Sequence, residues 1–290
     1  MRIIMAFIVL VLTAGAVILG ATVFLTAFAQ KKGQIMNEKE KKDAISKPDI
    51  NNLTITVVYD NNPYKEGLET AWGFSALITG TEKTILFDTG GDGSLLLNNM
   101  EKSGIEANDV DTVVLSHIHG DHTGGLAGLL EKNHQIAVYL LESFPKRFKD
   151  NVRAAGAEII ECKQSLKICE GVYSTGQLGR LIKEQSLIIR TEKGLIIITG
   201  CAHPGIVKIV NAAKDLLKDD ILLVMGGFHL EWTTNGKIEK IISAFKQLNV
   251  RYVGPCHCSG HKARALFEEH FGENYINIGV GRVITMADLQ

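Results

Sequence analysis

The stretch Ser116-His117-Ile118-His119-Gly120-Asp121-His122 holds three imidazoles and one carboxylate, in a chain of 290 residues with only nine histidines. Imidazole nitrogen and carboxylate oxygen are the donors that zinc, iron and manganese accept. Their density here points to a metal site. A metal held this way lowers the pKa of a bound water toward about 7, and two ions about 3.5–4 Å apart can clamp the attacking and leaving oxygens of a phosphoryl group. Further histidines recur downstream in short glycine- or cysteine-rich segments: His203 in Gly200-Cys201-Ala202-His203-Pro204-Gly205, His229 after Gly226-Gly227, and His257 in Pro255-Cys256-His257-Cys258-Ser259-Gly260.

Each of these segments follows an apolar run of strand length. Val113–Ser116 precedes the first histidines, Leu195–Thr199 precedes His203, Ile221–Met225 precedes His229 and Tyr252–Gly254 precedes His257. Such runs read as buried strands whose exit loops carry the chemistry at one sheet edge. The pattern predicts an early meander over 53–59, 74–79 and 84–87. Helices are expected over 94–103, 126–132, 205–218, 237–248 and 262–270, with further strands at 136–140, 186–190, 275–278 and 282–286. The stretch 145–157 reads as less regular. Residues 158–185 read as short strands and turns covering part of the site mouth.

The motif His117-x-His119-x-Asp121-His122 resembles the signature of the metallo-β-lactamase superfamily. Phe87-Asp88-Thr89-Gly90, the segment around His203 and the segment around His257 resemble its other motifs, in the same order, over residues 53–285. The wording GCAHPG, MGGFHL and PCHCSG is similar to a narrower subfamily, named for the dihydropterin–ribofuranosylaminobenzene phosphate synthases. The resemblance implies an α/β fold, a four-layer α/β/β/α sandwich, over residues 53–290, a plan consistent with layer packing. It implies one or two divalent metal ions, zinc first, with iron or manganese also suited. His117, His119 and His203 would hold one ion; Asp121, His122 and His257 the second. Asp121 would double as the catalytic group that orients water, and Asp88 would hold the histidine loop from behind, as carboxylates behind metal ligands do.

One departure stands out. Many two-metal members carry a bridging aspartate between the last two motifs. Here Asp215, Asp219 and Asp220 lie before the strand or on a helix, at the wrong end, and His229 takes the matching position. His229 can therefore be a metal ligand, a substrate-binding group or a hydrogen-bonded structural histidine. His261 can reach the site from the start of the last helix, or can serve as a surface or capping residue. Cys256 and Cys258 flank His257, and alternating strand residues face opposite ways. They read as small buried thiols, as does Cys201.

The first 29 residues form a separate object, with no charged side chain from Ile3 to Ala29. A bilayer-crossing helix needs about 20 apolar residues, so this segment reads as a transmembrane anchor. A cleaved signal peptide ending at Ala27-Phe28-Ala29 is the alternative. Lysines after the span favour a domain on the cytoplasmic side of a membrane, and an odd count of five cysteines fits reducing surroundings. Export follows from the signal-peptide alternative. Residues 30–52 read as a polar linker. A net charge of −1 offers no basic field for nucleic acid.

The expected activity is that of a metallo-hydrolase in which a metal-bound hydroxide attacks a phosphate ester, lactone or similar bond of a small, anionic substrate. One alternative is a synthase-like transferase, which would join a pterin diphosphate to an aminobenzene ribosyl phosphate. Another is a non-enzymatic, membrane-bound metal sensor.

Overall fold

The computed structural model describes residue 50 and residues 52–290. Strands β1 (Thr54–Asp60), β2 (Phe74–Thr79), β3 (Ile85–Phe87), β4 (Thr112–Val114), β5 (Ala137–Leu141) and β6 (Glu158–Cys162) lie side by side in chain order. The first three form an antiparallel meander. From β3 to β6 the strands run parallel, joined by crossovers that carry helices. A second, six-stranded sheet contains β7 (Leu166–Cys169), β8 (Val172–Ser174), β9 (Leu187–Thr191), β10 (Gly194–Thr199), β11 (Ile221–Gly227) and β12 (Tyr252–Cys256). The chain then returns to the first sheet, where β13 (Val283–Thr285) pairs with β1. The expected strand over 275–278 is reduced to a single bridge between Tyr275 and Val253.

Side-chain alternation explains why the sheets stack. On β10, Ile196 and Ile198 join the core between the sheets, with Val57 and Phe87 of the first sheet. Leu195 and Ile197 face the other way and pack with Ile209, Ile238 and Phe267 of the covering helices. This is the period-2 pattern of a strand buried on both faces. Those helices are Ile206–Leu217, Asn235–Gln247 and Gly260–Phe271. Phe228, Phe245 and Phe267 form an aromatic trio beneath them, with ring centroids 5.5–5.9 Å apart. Each such pair adds about 0.5–1.5 kcal/mol beyond simple burial. The trio anchors the chain one residue before His229.

Two expectations are corrected. The stretch 145–157, read as irregular, contains a helix over Lys146–Ala154. Its buried face is only Lys149 and Val152, too thin a stripe to announce a helix by periodicity, and Lys149 is tied down by the carbonyl of Glu142 and by Glu161. The membrane anchor, and with it the placement of the domain on the cytoplasmic side of a membrane, is not borne out. Among the described residues no helix is long and apolar enough to cross a membrane. The segment 1–29, on which both the anchor and the signal-peptide alternative rest, lies outside the described residues.

Candidate metal centre

The first group of donors leaves the first sheet at the end of β4. Asp88, immediately after β3, sits fully buried with a left-handed φ of 56°. Its Oδ1 accepts the Ser116 amide at 2.6 Å, and its Oδ2 accepts the Ser116 hydroxyl at 2.7 Å. Oδ2 also lies 2.7 Å from Nδ1 of His122. With the Ser116 proton committed to Asp88, Oγ is left to accept from Nδ1 of His117, 2.9 Å away. This network assigns the ring protons of both imidazoles to Nδ1. Their Nε2 lone pairs then face inward, the orientation a metal ligand needs.

The second group leaves the second sheet. β10, β11 and β12 run parallel, so their exits share one edge. Three residues there adopt left-handed backbone: Ala202 (φ 57°), His229 (φ 54°) and His257 (φ 47°). Non-glycine residues held in that region cost on the order of 1–3 kcal/mol each, and such strain collects at functional sites. Glu184 offsets part of it. Its buried carboxylate accepts the amides of Cys201, Ala202 and His203 at 2.8–2.9 Å. Its neighbour Gln185 reaches the other sheet, donating its backbone amide to Ser116 O at 2.9 Å and Nε2 to Leu115 O at 2.8 Å. The Glu184-Gln185 pair therefore ties the two ligand-bearing edges together. Gly200 lets them meet, since a Cβ there would lie 2.1 Å from Ser116 Oγ.

The donors converge. His117, His119 and His203 place their ligand atoms within 4.8 Å of one another, and so do Asp121, His122, Cys201 and His257. Asp121 Oδ2 lies 3.5 Å from Nε2 of His122 and 3.3 Å from Nε2 of His257. His257 is held from outside by Asn61 Oδ1, 3.0 Å from its Nδ1. The Nε2 atoms of His203 and His257 are buried with no hydrogen-bond partner. Buried polar atoms are ordinarily paired; two orphans aimed into a histidine cluster fit a divalent cation.

Electrostatics agree with this fit. Burial and the surrounding imidazoles hold His117 well below the ordinary imidazole range. Burial and the neighbouring His229 lower His203 to about 4. Burial opposes ionisation of Asp121, but the close approach of His257 and the nearby His122 hold the carboxyl below its usual range. Neutral imidazoles beside an ionised carboxylate are the state that binds metal. His122 departs the other way: burial lowers it, but the Asp88 charge and hydrogen bond raise it overall.

The structure brings together His117, His119, Asp121, His122, His203 and His257, and it puts Asp88 behind them. His229 also arrives, exposed, with its ring 4.5 Å from that of His203, and shares a donor group with Cys201 and His203. His261 is exposed and belongs to none of these groups. Cys256 and Cys258 are both buried thiols, as expected, although a turn and not strand alternation separates them. The chain turns into a short 3-10 helix at His257–Ser259, so Cys256 joins the core between the sheets while Cys258 Sγ lies 3.8 Å from Cys201 O. Cys201 is buried as expected, yet its Sγ faces the donors, 3.2 Å from Nε2 of His122. Sequence reasoning missed Glu184 and Gln185, whose one signal is a polar pair one residue before the strand Leu187–Thr191.

Known proteins resemble this chain in sequence and fold. The family model of the metallo-beta-lactamase superfamily matches residues 73–158. The chain is 30% identical to the 7,8-dihydropterin-6-methyl-4-(beta-D-ribofuranosyl)-aminobenzene-5'-phosphate synthase of Methanocaldococcus jannaschii, over 81% of this chain and 97% of that protein. Among solved structures, a metal-dependent hydrolase of the beta-lactamase superfamily superposes with a TM-score of 0.68 at 29% identity, covering 80% of this chain and 98% of the other. The metallo-beta-lactamase fold protein YhfI of Bacillus subtilis shares the fold, with a TM-score of 0.62 at 16% identity, over 81% of this chain and 99% of its own.

Proposed function

Because the chain belongs to the metallo-beta-lactamase superfamily, we propose that it is a metal-dependent hydrolase of small anionic substrates carrying a phosphate ester, lactone or similar bond. The observation that carries this reading is the convergence of ring nitrogens and one carboxylate, with two nitrogens buried and unpartnered. His117, His119 and His203 would hold one divalent ion, and Asp121, His122 and His257 a second. Such ions supply positive charge that polarises a substrate oxygen and acidifies water near neutral pH.

The chain's own groups do the rest. Asp88 and Ser116 keep the protons of His122 and His117 on their outward nitrogens. Asp121 stays ionised, so its carboxylate can accept a hydrogen bond from an attacking water and orient it. A cavity of about 460 Å³ adjoins His203 and His229, and Arg180 and Lys208 line it. Two cations beside the donors favour an anionic substrate. Trp72, half exposed and 4.9 Å from the His257 ring, offers an aromatic face beside that histidine.

A second reading is a synthase-like transferase, favoured by the 30% identity to the M. jannaschii synthase over nearly that protein's whole length. There the same charges would hold a diphosphate leaving group. One experiment separates the two. The full chain is loaded with zinc, manganese or iron and given a phosphodiester, a lactone, a β-lactam, or a pterin diphosphate with its aminobenzene ribosyl phosphate partner. Products are read by mass spectrometry with and without chelator. Chelator-sensitive addition of water supports the hydrolase. A condensation product with no water addition replaces it with the transferase. Turnover indifferent to chelator removes both.

A further inference from the structure

No aspartate between His203 and His257 lies at the ligand edge, and His229, which takes the matching position, shares no donor group with Asp121. The residue that does join Asp121, His122 and His257 is Cys201. Its Sγ, Asp121 carboxylate oxygen and the ligand nitrogens of His122 and His257 all lie within 4.8 Å of one another, and Sγ is 3.2 Å from Nε2 of His122. Neighbouring ligands on a zinc tetrahedron, with bonds of about 2.0–2.3 Å, are separated by roughly 3.3–3.8 Å. Cys201 to His122 at 3.2 Å, and Asp121 to His122 and His257 at 3.5 and 3.3 Å, are close to that spacing. The thiol has little freedom to be elsewhere. Cys201 is 3% exposed, and its amide is fixed on Glu184 at 2.9 Å.

We propose that Cys201 is the fourth protein ligand of the second metal ion, completing Asp121, His122 and His257 to a closed thiolate–carboxylate–imidazole set. The inference rests on the metal-centre reading above and deepens it. The thiol proton passes to solvent as the sulfur–metal bond forms, and no electron is transferred. The consequence is a division of labour. The second ion has four protein ligands and no open position, the arrangement of structural zinc. The first, with His117, His119 and His203, has three and keeps a position for substrate. A thiolate also makes the second site select zinc or iron over manganese or magnesium. Cys258, which is in none of the donor groups containing Asp121, packs behind Cys201 and is not a ligand.

Cobalt(II) titration of the full chain tests this. The wild type is expected to bind two ions by native mass spectrometry and to show a near-ultraviolet thiolate-to-cobalt charge-transfer band. Cys201→Ser should lose the band and bind its second ion at least tenfold more weakly, keeping the first. Cys258→Ser should keep both. X-ray absorption of the zinc-loaded wild type should show one sulfur at about 2.3 Å, a readout independent of whether any variant folds. Two bound ions with no sulfur in the shell, or a band that survives Cys201→Ser, overturn the proposal and leave the metal centre standing. A wild type that binds no cobalt or zinc overturns both.

Discussion

Asp88 and Glu184, two of the buried carboxylates that support the site, grip its halves differently. In the first sheet Asp88 binds side chains, setting the ring protons of His122 and, through Ser116, of His117. In the second sheet Glu184 binds backbone, holding the amides of three successive residues from Cys201 to His203. The difference follows from how the ligands are spaced. The first group comes from one short loop, so orientation of the rings is what remains to be fixed. The second group comes from three separate strand exits with left-handed residues, so the path of the backbone itself needs support.

The comparison is broken most severely at Asp88. Asp88→Asn keeps the shape but sets an NH2 either against the Ser116 amide or against Nδ1 of His122, where it forces the His122 proton toward the site. Metal affinity, measured by competition with a chromophoric chelator, should fall about 100-fold, the upper end for partners behind metal ligands. An unchanged affinity would show that ring orientation is set elsewhere. Next comes the seam between the halves. In Gly200→Ala the new Cβ would lie 2.1 Å from Ser116 Oγ and 2.9 Å from Asp88 Oδ2, and overpacking of this kind costs about 1–3 kcal/mol. Denaturant unfolding should register that loss, and wild-type stability would mean the loops part freely.

Glu184→Gln should be milder. It retains oxygen for part of the amide cluster, so metal affinity should drop about tenfold, with faster hydrogen exchange at residues 201–203. Burial raises the Glu184 carboxyl from 4.5 to about 7, against the three amides that favour its ionised form. Its folded pKa exceeds its unfolded one, so the folded state binds the extra proton and gains stability below 4.5, a gain lost as pH rises to about 7. The stability difference between metal-free wild type and Glu184→Gln should therefore shrink from pH 4.5 to about 7. A flat difference would contradict the burial of this group. The smallest effect is spectroscopic. In metal-free protein the His203 ring, lowered to about 4, should stay largely neutral by nuclear magnetic resonance until the pH approaches that value, while His122, raised by Asp88, should protonate above the ordinary imidazole value. Both rings titrating together would erase the contrast.

Legibility in the sequence follows the same division. The loop from His117 to His122 is contiguous, so its chemistry shows in residue types alone, and Asp88 shows through its Asp-Thr-Gly turn. The paired sheets follow from apolar runs on strands buried on both faces, as on β10. Glu184 is hidden because a glutamate between Lys183 and Gln185 looks like a solvated turn, and only the tertiary fold buries it under residues 201–203. The burial of Cys256 and Cys258 is legible, but the turn that brings Cys258 to Cys201 is not, because the strand stops at Cys256 and the left-handed backbone of His257 starts a 3-10 turn. The role of His229 stays open in the sequence for a related reason: its backbone turns left-handed directly after the buried Phe228.

The most direct test of the centre itself is an anomalous-scattering map, at the zinc edge, of crystals of the zinc-loaded protein. The account predicts two peaks about 3.5–4 Å apart, one among His117, His119 and His203 and one among Asp121, His122 and His257. A map with zinc bound elsewhere, or with no peak within reach of these side chains, would contradict it.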